Sequence, residues 1–223
     1  MSQNSASKTI LLVEDEALLA MGTKMTLEKN GYKVTHVLHG AAAIQAVEAG
    51  KIDLILMDID LGRNKMDGTE AAEKILEKHT VPIIFHTGHS EKEMVDKVKG
   101  ITRYGYVLKN AGEFVLIEAI QMAFELFNAN RQIIEKEERY QYMFEYSRSC
   151  VAVLKAVDDG NDFVFIDYNQ TAEETDKIRK DEVIGNRVTE VFPGVEEFGL
   201  LDVFRTVWRT GETKAHTDAF YSD

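Results

Sequence analysis

Residues 53–61 read DLILMDIDL: four apolar residues in a row, Leu54 to Met57, and then at once two acids, Asp58 and Asp60. A short continuous apolar run between polar flanks is the pattern of a strand buried on both faces. A strand of this kind that ends on carboxylates has two readings. A solvated loop is the ordinary one. A site for phosphoryl transfer or for a metal is the specific one.

The pattern repeats on either side. TILLVED (9–15) is another apolar run ending in acids, KVTHVL (33–38) alternates like a strand, VPIIFHTG (81–88) is a fourth strand and YGYVLK (104–109) a fifth. Between them, residues 16–32, 41–50 and 67–79 have helical spacing, with Gly31 and Gly50 placed to close the first two, and residues 90–100 read as a helix capped by Ser90. Strands alternating with helices predict an α/β fold, a doubly wound, flavodoxin-like parallel sheet of five strands covered on both faces.

The bulk properties narrow the function classes. The 223 residues carry a net charge of −12, which argues against binding a phosphate backbone. No apolar run approaches the ~20 residues of a membrane span, and the start, MSQNSASKTI, lacks a signal-peptide layout. The single cysteine, Cys150, excludes an internal disulfide and a CxxC metal knuckle. A cytoplasmic protein with no nucleic-acid or membrane partner is expected.

In open parallel sheets, ligands bind beyond the carboxyl ends of the strands. The first strand ends at Glu14 and Asp15 and the third at Asp58; the same edge receives Thr87 from the fourth and Lys109 from the fifth. Converging carboxylates repel unless a cation sits among them, and oxygen-only ligation with open positions favours Mg²⁺. Asp58 is then a natural nucleophile, with a hydroxyl and an ammonium to hold phosphoryl oxygens. Each residue alone has an ordinary explanation as a loop acid, a helix cap or a solvated lysine. The joint order along the strands is what gives the set its weight.

That order, in VEDE (13–16), LILMDIDL (54–61), MDG (66–68), FHTG (85–88) and GYVLK (105–109), resembles the response-regulator receiver domain of two-component signalling over about residues 8–128. The resemblance implies Glu14 and Asp15 as the metal-binding acid pair and Asp58 as phospho-acceptor and metal ligand. It implies a metal contact from the backbone carbonyl of Asp60, Thr87 and Tyr106 as switch residues, and Lys109 as the phosphate-pairing lysine. It also implies Mg²⁺ as cofactor, a histidine kinase or phosphotransfer protein as donor, and self-catalysed phosphorylation and slow dephosphorylation in place of ordinary turnover. Three features depart from the family pattern. Gly62 stands where Pro is usual four residues after the acceptor. The loop through 62–65 is two residues longer than is common. Asn110 replaces the Pro that follows the lysine, where a cis bond would cost about 2.5–4 kcal/mol. Two alternatives compete with this resemblance. DID is similar to the DxD motif of haloacid-dehalogenase-type phosphatases, although there it ends the first strand. A non-phosphorylated dimerisation adaptor would leave the acid–Thr–Lys set unexplained.

No Gly or Pro occurs from Glu113 to Asp159, so one helix is expected through about Tyr146, with residues 129–146 as a helical linker. Ile117, Ile120, Phe124 and Phe127 step by three and four; Phe127 and Ile134 are candidates for a homodimer seam. Residues 147–223 read as a separate α+β module, with a hairpin signal at Asp159-Gly160. Asn169, EVIG (182–185) and VFPG (191–194) resemble a PAS domain that lacks its last strands, as in a piece of a longer protein or a naturally shortened one. No cofactor is expected there. Cys150 reads as a small buried residue, His216 as exposed, and Phe204 and Trp208 as core.

Overall fold

The computed structural model describes residues 7–62, 66–88, 100–102 and 104–216. It divides into two compact units, with the boundary between Ile133 and Ile134.

In the first unit, β1 (Thr9–Val13), β2 (Lys33–Val37), β3 (Leu54–Met57), β4 (Ile83–Thr87) and β5 (Tyr106–Leu108) form one parallel sheet in the order β2-β1-β3-β4-β5. Every residue of β3 and β4 is buried, as expected for continuous apolar runs in a sheet covered on both sides. Helices α1 (Ala17–Lys29), α2 (Gly40–Ala49) and α3 (Gly68–Leu76) connect them. A long helix, α4, runs unbroken over Glu113–Glu145, as the absence of Gly and Pro predicts. The helix expected over 90–100, with its Ser90 cap, lies almost wholly outside the described residues.

Side-chain alternation sorts the sheet into two cores. Leu11, Val13, Ile55, Met57, Ile83 and Phe85 face α2 and α3. Ile10, Leu12, Leu54, Leu56, Ile84 and Val107 face the other way and pack on Ala20 and Leu27 of α1 and on Leu116, Ile117, Ile120 and Phe124 of α4. Three of the four residues that step along α4 are therefore sheet-covering core. Ile134, further along, is about half-exposed.

The second unit pairs β6 (Ala152–Val157) with β7 (Asp162–Tyr168) as an antiparallel hairpin. Its turn holds Asp158 and Asp159 at positive φ, where Asx residues are tolerated, together with Gly160. Helices α5 (Gln170–Asp176), α6 (Lys180–Val183), α7 (Val188–Val191) and α8 (Leu200–Thr210) follow. Phe163, Phe165, Tyr168, Val183, Val188 and Leu201 make the core. Asn169 is fully buried, and its side chain makes four hydrogen bonds. Its Nδ2 donates to the carbonyls of Phe144 and Ser149, and its Oδ1 accepts from the amides of Val151 and Ala172. The last turn of α4 is thus tied into this unit, and Lys180 adds ion pairs to Glu145 at 2.9 Å and Asp167 at 2.6 Å.

Two expectations fail here. Cys150 is exposed: the backbone on either side of it, at Ser149 and Val151, is bonded to the fully buried Asn169 side chain, while its own thiol reaches the Thr171 carbonyl. Trp208 is half-exposed: its indole lies against Gly160, where an added Cβ would meet it at 2.1 Å, and it helps to line an apolar groove of about 490 Å³ with residues of α8 and the hairpin. Phe204 behaves as core, edge-on to Phe163.

Candidate functional site

The ladder continues one residue past three of the parallel strands. The amide of Glu14 donates to Val37 O at 3.1 Å, that of Asp58 to Val13 O at 2.9 Å and that of Lys109 to Thr87 O at 2.9 Å. Sheet hydrogen bonds therefore fix the positions of both buried acids and the lysine. His36 Nε2 also donates to the Glu14 carbonyl at 2.8 Å.

Carboxylate oxygens of Glu14, Asp15 and Asp58 all lie within 4.8 Å of one another. Glu14 and Asp58 are buried and Asp15 is exposed, so the cluster opens to solvent on the Asp15 side. Lys109 Nζ stands 2.7 Å from Glu14 Oε2 and 2.8 Å from Asp58 Oδ2. Burial raises the Glu14 and Asp58 carboxyls above their ordinary range, against the hydrogen bonds from Lys109. Burial also works against the Lys109 charge, but the two carboxylates outweigh it and hold the ammonium above its usual value. Among the described residues one cation, Lys109, faces the three-carboxylate cluster, which leaves net negative charge in a partly dry site that a hard divalent cation would neutralise.

Asp60 is exposed, and its amide donates to Asp58 Oδ1 at 3.3 Å. Thr87 is buried at the end of β4, while Tyr106 opens β5 and is about two-fifths exposed. The register pairs Phe85 with Tyr106 and Thr87 with Leu108, so Thr87 and Tyr106 are diagonal neighbours on the face opposite Lys109. The Lys109–Asn110 bond is trans.

Two glycines shape the site. At Gly68, the first residue of α3, an added Cβ would lie 1.9 Å from the Asp58 carbonyl oxygen. MDG thus reads structurally as Asp67, whose side chain caps α3 by accepting from the Glu70 amide, and a glycine that lets the helix sit on the backbone of Asp58. Gly62 has φ +82° and packs against Asp15, a conformation closed to proline. The departure at this position therefore has a backbone reason.

One residue of the site escapes motif reading. His86 is 6 % exposed on β4, and its Nδ1 has no hydrogen-bond partner among the described residues. Burial, with Lys109 nearby, lowers its pKa to about 4. The available signal was a histidine inside an otherwise apolar strand.

Comparison with known proteins agrees with this geometry. The response regulator receiver domain family matches residues 10–121. The transcriptional regulatory protein PdtaR of Mycobacterium tuberculosis is 31% identical over 121 residues, 54% of this chain and 58% of that protein, so the chain spans somewhat over half its length. The sensor kinase CckA of Brucella abortus is 29% identical over 108 residues, 47% of this chain and 11% of that one. Among solved structures, the N-terminal domain of a response regulator/sensory box/GGDEF three-domain protein from Carboxydothermus hydrogenoformans is 44% identical, covering 55% of this chain and 98% of that one with a TM-score of 0.51. With its five-stranded parallel sheet and acidic edge, the chain belongs to the response regulator receiver domain family of two-component systems.

Proposed function

We propose that the first unit accepts a phosphoryl group on Asp58 from a histidine kinase or phosphotransfer protein, and that its change of state is passed along α4 to the second unit. The observation that carries this reading is the convergence of Glu14, Asp15, Asp58 and Lys109 at one sheet edge. In the transfer, an Asp58 carboxylate oxygen attacks phosphorus, the P–N bond of a phosphohistidine breaks, and the imidazole leaves with its electron pair. Lys109 stands where it can turn to a phosphoryl oxygen, and Glu14 and Asp15 stay fixed beside it.

Glu14, Asp15, Asp58 and the Asp60 carbonyl would hold Mg²⁺. Their all-oxygen donor set and surplus negative charge fit a hard divalent ion. When bound, it supplies charge neutralisation for the transferred oxygens. New charge on Asp58 would draw the Thr87 hydroxyl inward, and Tyr106, its diagonal neighbour, would take the vacated space.

The second unit is read as a PAS-like sensor module without a cofactor, residues 129–146 as the linker, and the receiver as residues 8–128. A sensory box accompanies the response regulator in the Carboxydothermus protein, which supports this order. A homodimer through the exposed part of α4 and a cytoplasmic setting complete the reading. No helix among the described residues is long and apolar enough to cross a membrane.

Family membership leaves the phosphatase alternative without support; the adaptor alternative is decided by one experiment. Incubated with acetyl phosphate and Mg²⁺, the protein is expected to gain one hydroxylamine-labile phosphoryl group by intact mass, and Asp58→Asn none. An unlabelled wild-type protein would favour the adaptor, and equal labelling of the variant would displace Asp58 as acceptor.

A further inference from the structure

His86 has no part in the phosphoryl-transfer reading, yet it is buried with a ring nitrogen that has no partner among the described residues, a costly arrangement that calls for a reason. Side chains along a strand alternate between faces. Leu12, Leu56, Ile84 and Val107 all face α1 and α4. Two residues further along the same strands stand Glu14, Asp58, His86 and Lys109, which therefore share that face at one end of the sheet. Met57 pairs with Phe85, so continuing the register sets Asp58 beside His86.

The strand order runs β1-β3-β4-β5. Lys109 leaves the chain just after β5, but its Nζ ends between Asp58, just after β3, and Glu14, just after β1. From β5 to β3 is two strand spacings, roughly 9.5 Å, and β4 lies between. The lysine stem must cross β4, and His86 is the β4 side chain on that face at that level.

We propose that His86 is a positioning residue for Lys109: its ring is the surface over which the lysine stem crosses β4, and it sets where the ammonium stands relative to Asp58. The inference rests on Asp58 being the phospho-acceptor. The ring is suited to the task because it is flat, broad and buried at the level that the stem must cross. A carboxylate there would draw the ammonium away from Glu14 and Asp58. A small side chain would leave the stem unsupported.

The test combines the Nζ resonance of Lys109 in ¹⁵N-labelled protein without donor and the rate of labelling by acetyl phosphate with saturating Mg²⁺. His86→Ala is expected to shift the resonance and slow labelling roughly tenfold, the scale of a sub-ångström misplacement. His86→Phe, an uncharged ring, should recover most of both. In a Lys109→Met background His86→Ala should change the rate by less than about twofold, because its effect runs through the lysine. An unmoved resonance, or equal slowing with and without Lys109, overturns the proposal. Should His86→Ala fail to fold, His86→Val, far shorter than a ring and suited to a strand, carries the same expectations. Wild-type protein that takes no phosphate would refute the phospho-acceptor reading, and the donor-free resonance would still decide the role of His86.

Discussion

Replacing Lys109 by Met keeps the length of the stem and removes the charge. The ammonium is 2.7 Å from Glu14 and 2.8 Å from Asp58, whose side chains are only 1% and 4% exposed. Removing one partner of a buried ion pair costs about 3–5 kcal/mol, because the other charge stays buried and uncompensated. With a urea slope of about 2 kcal/mol per molar, that is a midpoint about 1.5–2.5 M lower, a large share of the ~5–15 kcal/mol stability of a domain. The sign of the pH dependence follows from the carboxyls. Their folded pKa values are already raised by burial, and losing Lys109 raises them further. Such groups favour the fold while protonated and withdraw that support as pH rises through the folded pKa. The deficit should therefore be greatest at neutral and alkaline pH and shrink on acidification towards the carboxylate range. Mg²⁺ at a hundredfold over its Kd should return about 2.7 kcal/mol. Urea melts followed by circular dichroism, with and without Mg²⁺ across pH, measure all three effects. An unchanged midpoint at neutral pH, or a deficit that grows in acid, would refute the electrostatic account of the site.

Three further outcomes are expected. Gly68→Ala should destabilise the first unit by about 1–3 kcal/mol and slow phosphorylation, since the new methyl meets the Asp58 carbonyl; thermal melts and labelling rates check it. Asn169→Ala should cost about 2–4 kcal/mol at about 1 kcal/mol per hydrogen bond lost, and hydrogen exchange should speed up at the amides of Val151 and Ala172. In sedimentation at tens of micromolar the whole chain should be a dimer and a version ending at Asn128 a monomer; two monomers would reduce α4 to a tether.

Much of the acidic site is legible in sequence because of how parallel sheets are built. Strands buried on both faces appear as uninterrupted apolar runs, and their functional groups follow directly at the carboxyl ends, so Glu14, Asp58, Thr87 and Lys109 can be placed before any contact is known. The continuity of α4 is legible for an equally local reason, the absence of helix breakers. What stays hidden depends on register and approach. That His86 shares a face with Asp58 and lies under the path of Lys109 follows only from pairing across three strands. That Gly68 must be glycine follows from a helix end resting on the Asp58 carbonyl. Cys150 and Trp208 mislead because residue type gives average burial, whereas their exposure is set by which neighbours claim the interior.

Trp208 is the chain's only tryptophan, and it lies in the second unit with its indole against Gly160 and about half of its surface open to solvent. Its emission under selective excitation therefore carries no direct contribution from the unit that holds Asp58. An intensity or wavelength change that follows phosphorylation would have to reach the indole through the chain, and its time course would clock that passage with no added dye.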